Sequence, residues 1–188
     1  MRQTGTRSHH RLWMALFALL VLAAGITMLV DELPEIPAPS VSVLNRTLAT
    51  EPESLDPHKV RTKQAGDVLR DIGEGLVGYT ESGELIPAGA GRWDISEDGL
   101  TYRFYLRPDA RWSNGDAVTA EHYVYSFRRL IDPATAAFYA EVLIDLENAT
   151  EIVSGEMPVD ALGVSATGAF ELTVRLKRRV PYFLSLLT

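Results

Sequence analysis

The hydrophobic pattern changes period along the chain, and each change marks an element. Between Gly91 and Gly115 the period is two. Leu100, Tyr102, Phe104 and Leu106 fall on one face; Thr101, Arg103, Tyr105 and Arg107 fall on the other. One apolar and one polar face predict a strand with a single buried side. Trp93 and Ile95 share a face before it. Glu97-Asp98-Gly99 supplies a hairpin turn, because glycine takes positive φ at little cost. Pro108-Asp109 and Ser113-Asn114-Gly115-Asp116 are further turns, with Trp112 between them. Period two returns over residues 163–176, where Phe170, Leu172, Val174 and Leu176 alternate with Glu171, Thr173 and Arg175 after a Thr167-Gly168 turn.

Helical spacing occupies the intervals. Ala65, Val68, Leu69, Ile72 and Leu76 predict an amphipathic helix over residues 63–76. Thr119 is the N-cap of a second helix, whose stripe is Ala120, Tyr123, Val124, Phe127, Leu130 and Ile131, and Asp132-Pro133 ends it. A helix over residues 134–146 and a short one over 149–154 follow by the same spacing. Residues 41–49 can form a strand, and TEPESLDPHK (50–59) forms turns around Pro52 and Pro57. The pattern predicts an α+β domain with a hairpin-rich sheet.

The N-terminus differs. Arg2, Arg7 and Arg11 precede an uncharged run over residues 12–30. As a helix at about 1.5 Å per residue this run spans roughly 28 Å, close to the hydrocarbon thickness of a bilayer. A cleaved signal peptide would have a shorter apolar region and a small-residue site directly behind it. Asp31-Glu32-Leu33-Pro34 follows instead, which favours an uncleaved anchor. The preceding arginines keep that end cytoplasmic and place the rest outside. Residues 31–40, with Pro34, Pro37 and Pro39, form a stiff linker.

Composition removes several functions. The net charge of −7 argues against nucleic acid as the main partner. No cysteine is present, so disulfides, thiolate catalysis and a lipoprotein anchor are excluded. Gly73-Glu74-Gly75-Leu76-Val77-Gly78 fits GxGxxG, but a dinucleotide site needs a strand before the glycines and a helix after them. Here they end a helix. His58 and His122 lack partners at metal spacing. Asp94, Glu97, Asp98, Asp109 and Asp116 sit at turns, where aspartate has a local hydrogen-bonding role. Ser154 and Ser165 lack a nucleophile elbow. Trp93, Trp112, Tyr102 and Phe104 could stack on a ligand; filling a small core is the commoner use. No catalytic residue, metal ligand or cofactor site emerges, so a binding module is expected and not an enzyme.

The order of segments resembles the periplasmic oligopeptide-binding proteins, the extracytoplasmic solute-binding subunits of peptide ABC importers. The resemblance is carried by LNRTLATEPESLDPHK (44–59), by the EGL, WDISEDG, LRPDARWSNGDAVTA and VYSFRRLIDP runs within residues 68–143, and by residues 163–188 ending VPYFLSLLT. It implies part of a periplasmic-binding-protein type II lobe with an inserted small α+β domain. Residues 1–30 are then a basic segment plus transmembrane anchor or signal, 31–40 the linker, 41–73 the start of lobe I, and 74–188 the small inserted domain. The chain stops inside an apolar run, which reads as a domain cut short with the second lobe beyond Thr188.

By the same resemblance the protein binds oligopeptides and delivers them to permease subunits in the inner membrane. It would lie in the periplasm or cell envelope, tethered by residues 12–30. Two places match peptide-contacting positions of the family: the extended segment Val60, Arg61, Thr62 and Lys63, whose backbone would run beside the peptide, and Tyr139. Arg61 and Lys63 make that segment more basic than in well-known members. Alternatives are a membrane-tethered structural or sensory module, and the same fold taking a nickel chelate, haem or sugar.

Overall fold

The structure is a computed structural model that describes residues 47–188 together with Met14, Leu19 and Asn45. The expected anchor over residues 12–30, the linker and most of the strand expected over 41–49 lie outside the described residues. Thr47, Leu48 and Ala49, which are described, are not in a strand. Among the described residues no helix is long and apolar enough to cross a membrane.

Residues 47–188 mix helix and antiparallel sheet. Helix α1 (Lys63–Ile72) is followed by a two-stranded ribbon, β1 (Val77–Tyr79) and β2 (Leu85–Pro87). Strands β3 (Ala90–Ile95) and β4 (Thr101–Leu106) lead to helix α2 (Ala120–Ile131), a short helix α3 (Ala149–Val153), and the hairpin β5 (Val164–Gly168) and β6 (Glu171–Arg175). The four longer strands form one antiparallel sheet in the order β3-β4-β6-β5.

The period-two pattern produces this sheet directly. Tyr102, Phe104 and Leu106 are buried on one face of β4, and Val174 and Leu172 stand opposite Tyr102 and Phe104 on β6. Helix α2 lays Ala120, Val124, Phe127 and Ile131 against this face, an i, i+4, i+7, i+11 stripe. The β3–β4 turn forms at Glu97-Asp98-Gly99, with Gly99 at φ +69° and the Asp98 carboxylate accepting the Leu100 N–H at 3.0 Å. Glycine is required there because that φ is unfavourable for a residue with a Cβ.

The C-terminal turn Phe183–Leu187 closes the other side of the core. The Phe183 ring meets Tyr102 at 4.8 Å between centroids.

The β5–β6 turn lies at Ala169-Phe170, with Thr167 and Gly168 still in β5, and three further expectations need correction. Helix α1 ends at Ile72, not at residue 76. Gly73 turns extended there, its N–H bonding the Leu69 carbonyl at 2.8 Å, and Leu76 enters the core from a loop. A Cβ at Gly75 would collide with the Leu187 carbonyl, so the GxGxxG glycines serve a helix exit and a close backbone approach. The helix expected over 134–146 is absent. Asp132 caps a single 3₁₀ turn, Pro133–Thr135, and Ala136 then adopts a left-handed conformation (φ 51°) before a second turn at Ala140–Leu143. Leu143 and Leu146 are buried all the same, so their spacing reflects turn packing. Third, Trp112 is not in the core. It is half exposed, its indole N–H donating to His122 Nδ1 at 3.1 Å. Trp93, opposite Phe104 on the edge strand, is only half-buried.

Burial ranks the aromatic residues by expected cost. Phe104→Ala, at a fully buried site, is expected to lower unfolding free energy by about 3–5 kcal/mol. Trp93→Ala should cost less, because Trp93 packs at the edge of the core with part of its side chain exposed. Urea denaturation followed by circular dichroism checks the ranking; equal losses would contradict it.

Candidate functional site

The turn-forming segment before α1 is held by charge. Ser54 Oγ accepts the Asp56 N–H at 3.0 Å, and Asp56 Oδ1 accepts the His58 N–H at 3.1 Å, so SLDPH folds on its own side chains. The Asp56 carboxylate then takes both terminal nitrogens of Arg129, on α2, at 2.8 and 2.6 Å. This is the bidentate fork that a planar guanidinium makes with a carboxylate. His58 lies beside it. Arg129 Nη1 is 2.8 Å from His58 Nδ1, and His58 Nε2 is 3.2 Å from Ser126 Oγ. Arginine can only donate, so Nδ1 is the acceptor and the ring proton sits on Nε2, facing Ser126. Ser126 and Arg129 are three residues apart and share one face of α2. The core stripe Val124, Phe127 and Ile131 occupies another.

This clamp delivers residues 60–63 to the surface. The Glu53 carboxylate accepts the N–H groups of Arg61 and Thr62 at 2.7 and 3.0 Å, and the Thr62 hydroxyl as well. These donors hold the Glu53 carboxyl down to about 2, the Thr62 hydroxyl contributing most. Thr62 is the N-cap of α1, its Oγ1 accepting the Ala65 N–H at 3.4 Å. The extended stretch is therefore shorter than expected: Lys63 already belongs to the helix, where its ammonium pairs with Asp67 at 2.5 Å.

The second predicted position comes from the far end of α2. After the Pro133–Thr135 turn and Ala136, Phe138 and Tyr139 project as an exposed edge-to-face pair, 5.0 Å between centroids. The Arg61 guanidinium lies over the Phe138 ring at 5.4 Å. Arg61 and Tyr139, far apart in sequence, are thus joined through Phe138. Sequence reasoning did not single out Phe138, nor the Asp56–Arg129 fork. The only available signal was that each sits beside a residue already marked.

A separate open groove of about 930 Å³ runs between α1, the β1–β2 ribbon, α2 and the C-terminal turn, with Leu69, Glu74, Leu130 and Leu187 among its walls. Val60, Arg61, Thr62, Lys63 and Tyr139 do not line it. His122 accepts hydrogen bonds from Trp112 and from the Thr119 N–H at the start of α2. Among the described residues no group of three or more His, Asp or Glu side chains is placed to hold a metal.

The chain is similar to known proteins over most of its length. Residues 84–188 match the family described as bacterial extracellular solute-binding proteins, family 5 Middle. The chain is 37% identical over 181 residues to the periplasmic oligopeptide-binding protein OppA of Haemophilus influenzae, covering 95% of this chain and 33% of that protein. It is 40% identical over 140 residues to the probable deoxycholate-binding periplasmic protein YgiS of Escherichia coli, covering 73% of this chain and 26% of that one. The crystal structure of Haemophilus influenzae OppA in complex with RPPGFSPFR superposes with a TM-score of 0.71 at 44% identity, over 73% of this chain and 27% of that one. The chain spans about a third of the length of the curated relatives it matches.

The clamp makes stability depend on pH. Burial lowers the His58 pKa, and the Arg129 charge lowers it further against the opposing pull of Asp56. The unfolded chain then binds the histidine proton more readily, so stability falls as pH drops below about 6.5. The Arg129 fork holds Asp56 well below the usual carboxylate range. Its stabilisation is present above the unfolded aspartate value and is lost on stronger acidification. The urea midpoint is expected to be level between about pH 7 and 8, then to decline toward pH 5.5. His58→Gln should flatten that first decline, and an unchanged slope in the variant would rule out His58 as its source.

Proposed function

The chain belongs to the bacterial extracellular solute-binding proteins of family 5, and from that premise we propose that it is the oligopeptide-binding component of an ABC importer. One observation carries this reading. Arg61, from the marked segment 60–63, and Tyr139, marked separately along the chain, are joined at the surface through Phe138. An extended peptide needs such a surface: backbone groups to pair with its own, and apolar area for alternate side chains. Glu53 already takes the N–H groups of Arg61 and Thr62. The Thr62 carbonyl already accepts the Gly66 N–H at 3.1 Å, so Val60 and Arg61 would supply the carbonyl oxygens that pair with a peptide.

In this proposal the protein works outside the cytoplasm, held at the inner membrane by residues 12–30. It hands solute to permease subunits and performs no catalysis. Residues 41–73 open the first lobe of a type II binding-protein fold, and residues 74–188 form a small domain inserted in it. The likeness to a protein named for probable deoxycholate binding favours a second reading, an apolar non-peptide solute resting on Phe138 and Tyr139.

A tripeptide carrying a photoreactive phenylalanine analogue tests the proposal on the full chain. Labelling is expected within residues 60–63 and at or beside Tyr139, displaced by unlabelled tripeptide and reduced by Tyr139→Ala. Label that resists competition, or that falls only in other segments, would overturn the peptide assignment. Displacement by deoxycholate and not by peptide would select the second reading.

A further inference from the structure

Arg61 stands apart from the other charged side chains around it. The chain carries a net charge of −7, and its arginines largely pair with acids. Arg107 takes Glu74, Arg129 takes Asp56, and Arg178 takes Asp145. Among the described residues Arg61 makes no ion pair. The carboxylates nearest in sequence are committed elsewhere: Asp56 to Arg129, Asp67 to Lys63 and Arg70, and Glu53 to two backbone amides and a hydroxyl. What holds the Arg61 guanidinium is the face of Phe138, 5.4 Å from ring centroid to carbon, within the range at which a cation is attracted to an aromatic ring. Phe138 is itself braced edge-on by Tyr139. A guanidinium resting on a ring still presents its N–H fork at the edge of its plane, the geometry that receives a carboxylate.

We propose that Arg61, positioned by Phe138, is an anion-selecting subsite of the peptide surface, so that the chain prefers peptides presenting a carboxylate there. This rests on the peptide-binding reading above. Arg61 supplies the charge; Phe138 is a positioning residue that limits where the guanidinium can go. Lys63 contributes less, because Asp67 already compensates its charge. The carboxylate can come from an acidic side chain or from the peptide C-terminus.

The test follows the arginine Nε–H and backbone amide NMR signals of the full chain during titration with Ala-Glu-Ala, Ala-Gln-Ala and the C-terminally amidated form of each. At low ionic strength the acidic peptide is expected to bind about three- to fivefold tighter than its glutamine counterpart, the range of an exposed ion pair. The preference should shrink with added salt. Arg61→Gln should abolish it. Phe138→Leu should weaken it, and Phe138→Tyr, which keeps a ring under the guanidinium, should retain it. A preference for glutamate over glutamine assigns the carboxylate to the side chain; tighter binding of the free acids than of their amides, with glutamate and glutamine alike, assigns it to the C-terminus. Equal binding of all four peptides, or a preference unchanged in Arg61→Gln, would overturn the subsite and leave peptide binding standing. No shift with any peptide would overturn both.

Discussion

The fork between Asp56 and Arg129 is the contact on which the arrangement of the candidate site depends. Residues 50–62 have no regular secondary structure of their own, and turns alone cannot place a segment against a helix formed some seventy residues later. A bidentate ion pair can, because a planar guanidinium and a carboxylate fit in few orientations. Both partners are half-buried, and His58 and Ser126 complete the network by accepting and donating in turn. Such a network restricts geometry more than it adds stability. Exposed pairs elsewhere on the surface, such as Arg92–Asp94, contribute little.

Helix α2 carries this arrangement because it has two working faces. Val124, Phe127 and Ile131 fix it to the sheet, where Phe104 and Leu172 leave no freedom for sliding. Ser126 and Arg129 face the SLDPH segment. The chain leaving the helix turns through Pro133 and Ala136 and brings Phe138 and Tyr139 to the place where residues 60–63 emerge. The alternating strand between Gly91 and Gly115 is thus a scaffold. Its aromatic residues serve the core or its edges, and the proposed solute-facing residues sit on the loops that the core positions.

The surface assembled in this way is mixed in character: two exposed aromatic rings, one arginine without a carboxylate partner among the described residues, and a helix N-terminus whose first donors are taken by Glu53. In the proposed peptide-binding role, apolar area would give tolerance toward many peptides, and a single cation would bias the choice without enforcing it.

Much of the fold was legible in the sequence. Period-two runs determine the strands around Phe104 and Leu172, the first of them entered through the Asp98-Gly99 turn, and a capped 3.6-residue stripe determines α2 from Ala120 to Ile131, because these patterns follow from local geometry and the need to bury one face. The motif strings also placed residues 60–63 and Tyr139 among the solute-contacting candidates. What the sequence could not show was decided by contacts between distant segments. Residues 134–146 have helical spacing but form two short turns, since Pro133 and the left-handed Ala136 interrupt the backbone while Leu143 and Leu146 still pack inward. Trp112 has a core residue's composition and lies outside, bonded to His122. The pairing of Asp56 with Arg129, and of Arg61 with Phe138, exists only because the sheet fixes α2 and α2 fixes both chain segments. Hydrophobic period is a local property, whereas ion pairs and ring contacts across seventy residues are properties of the packed structure alone.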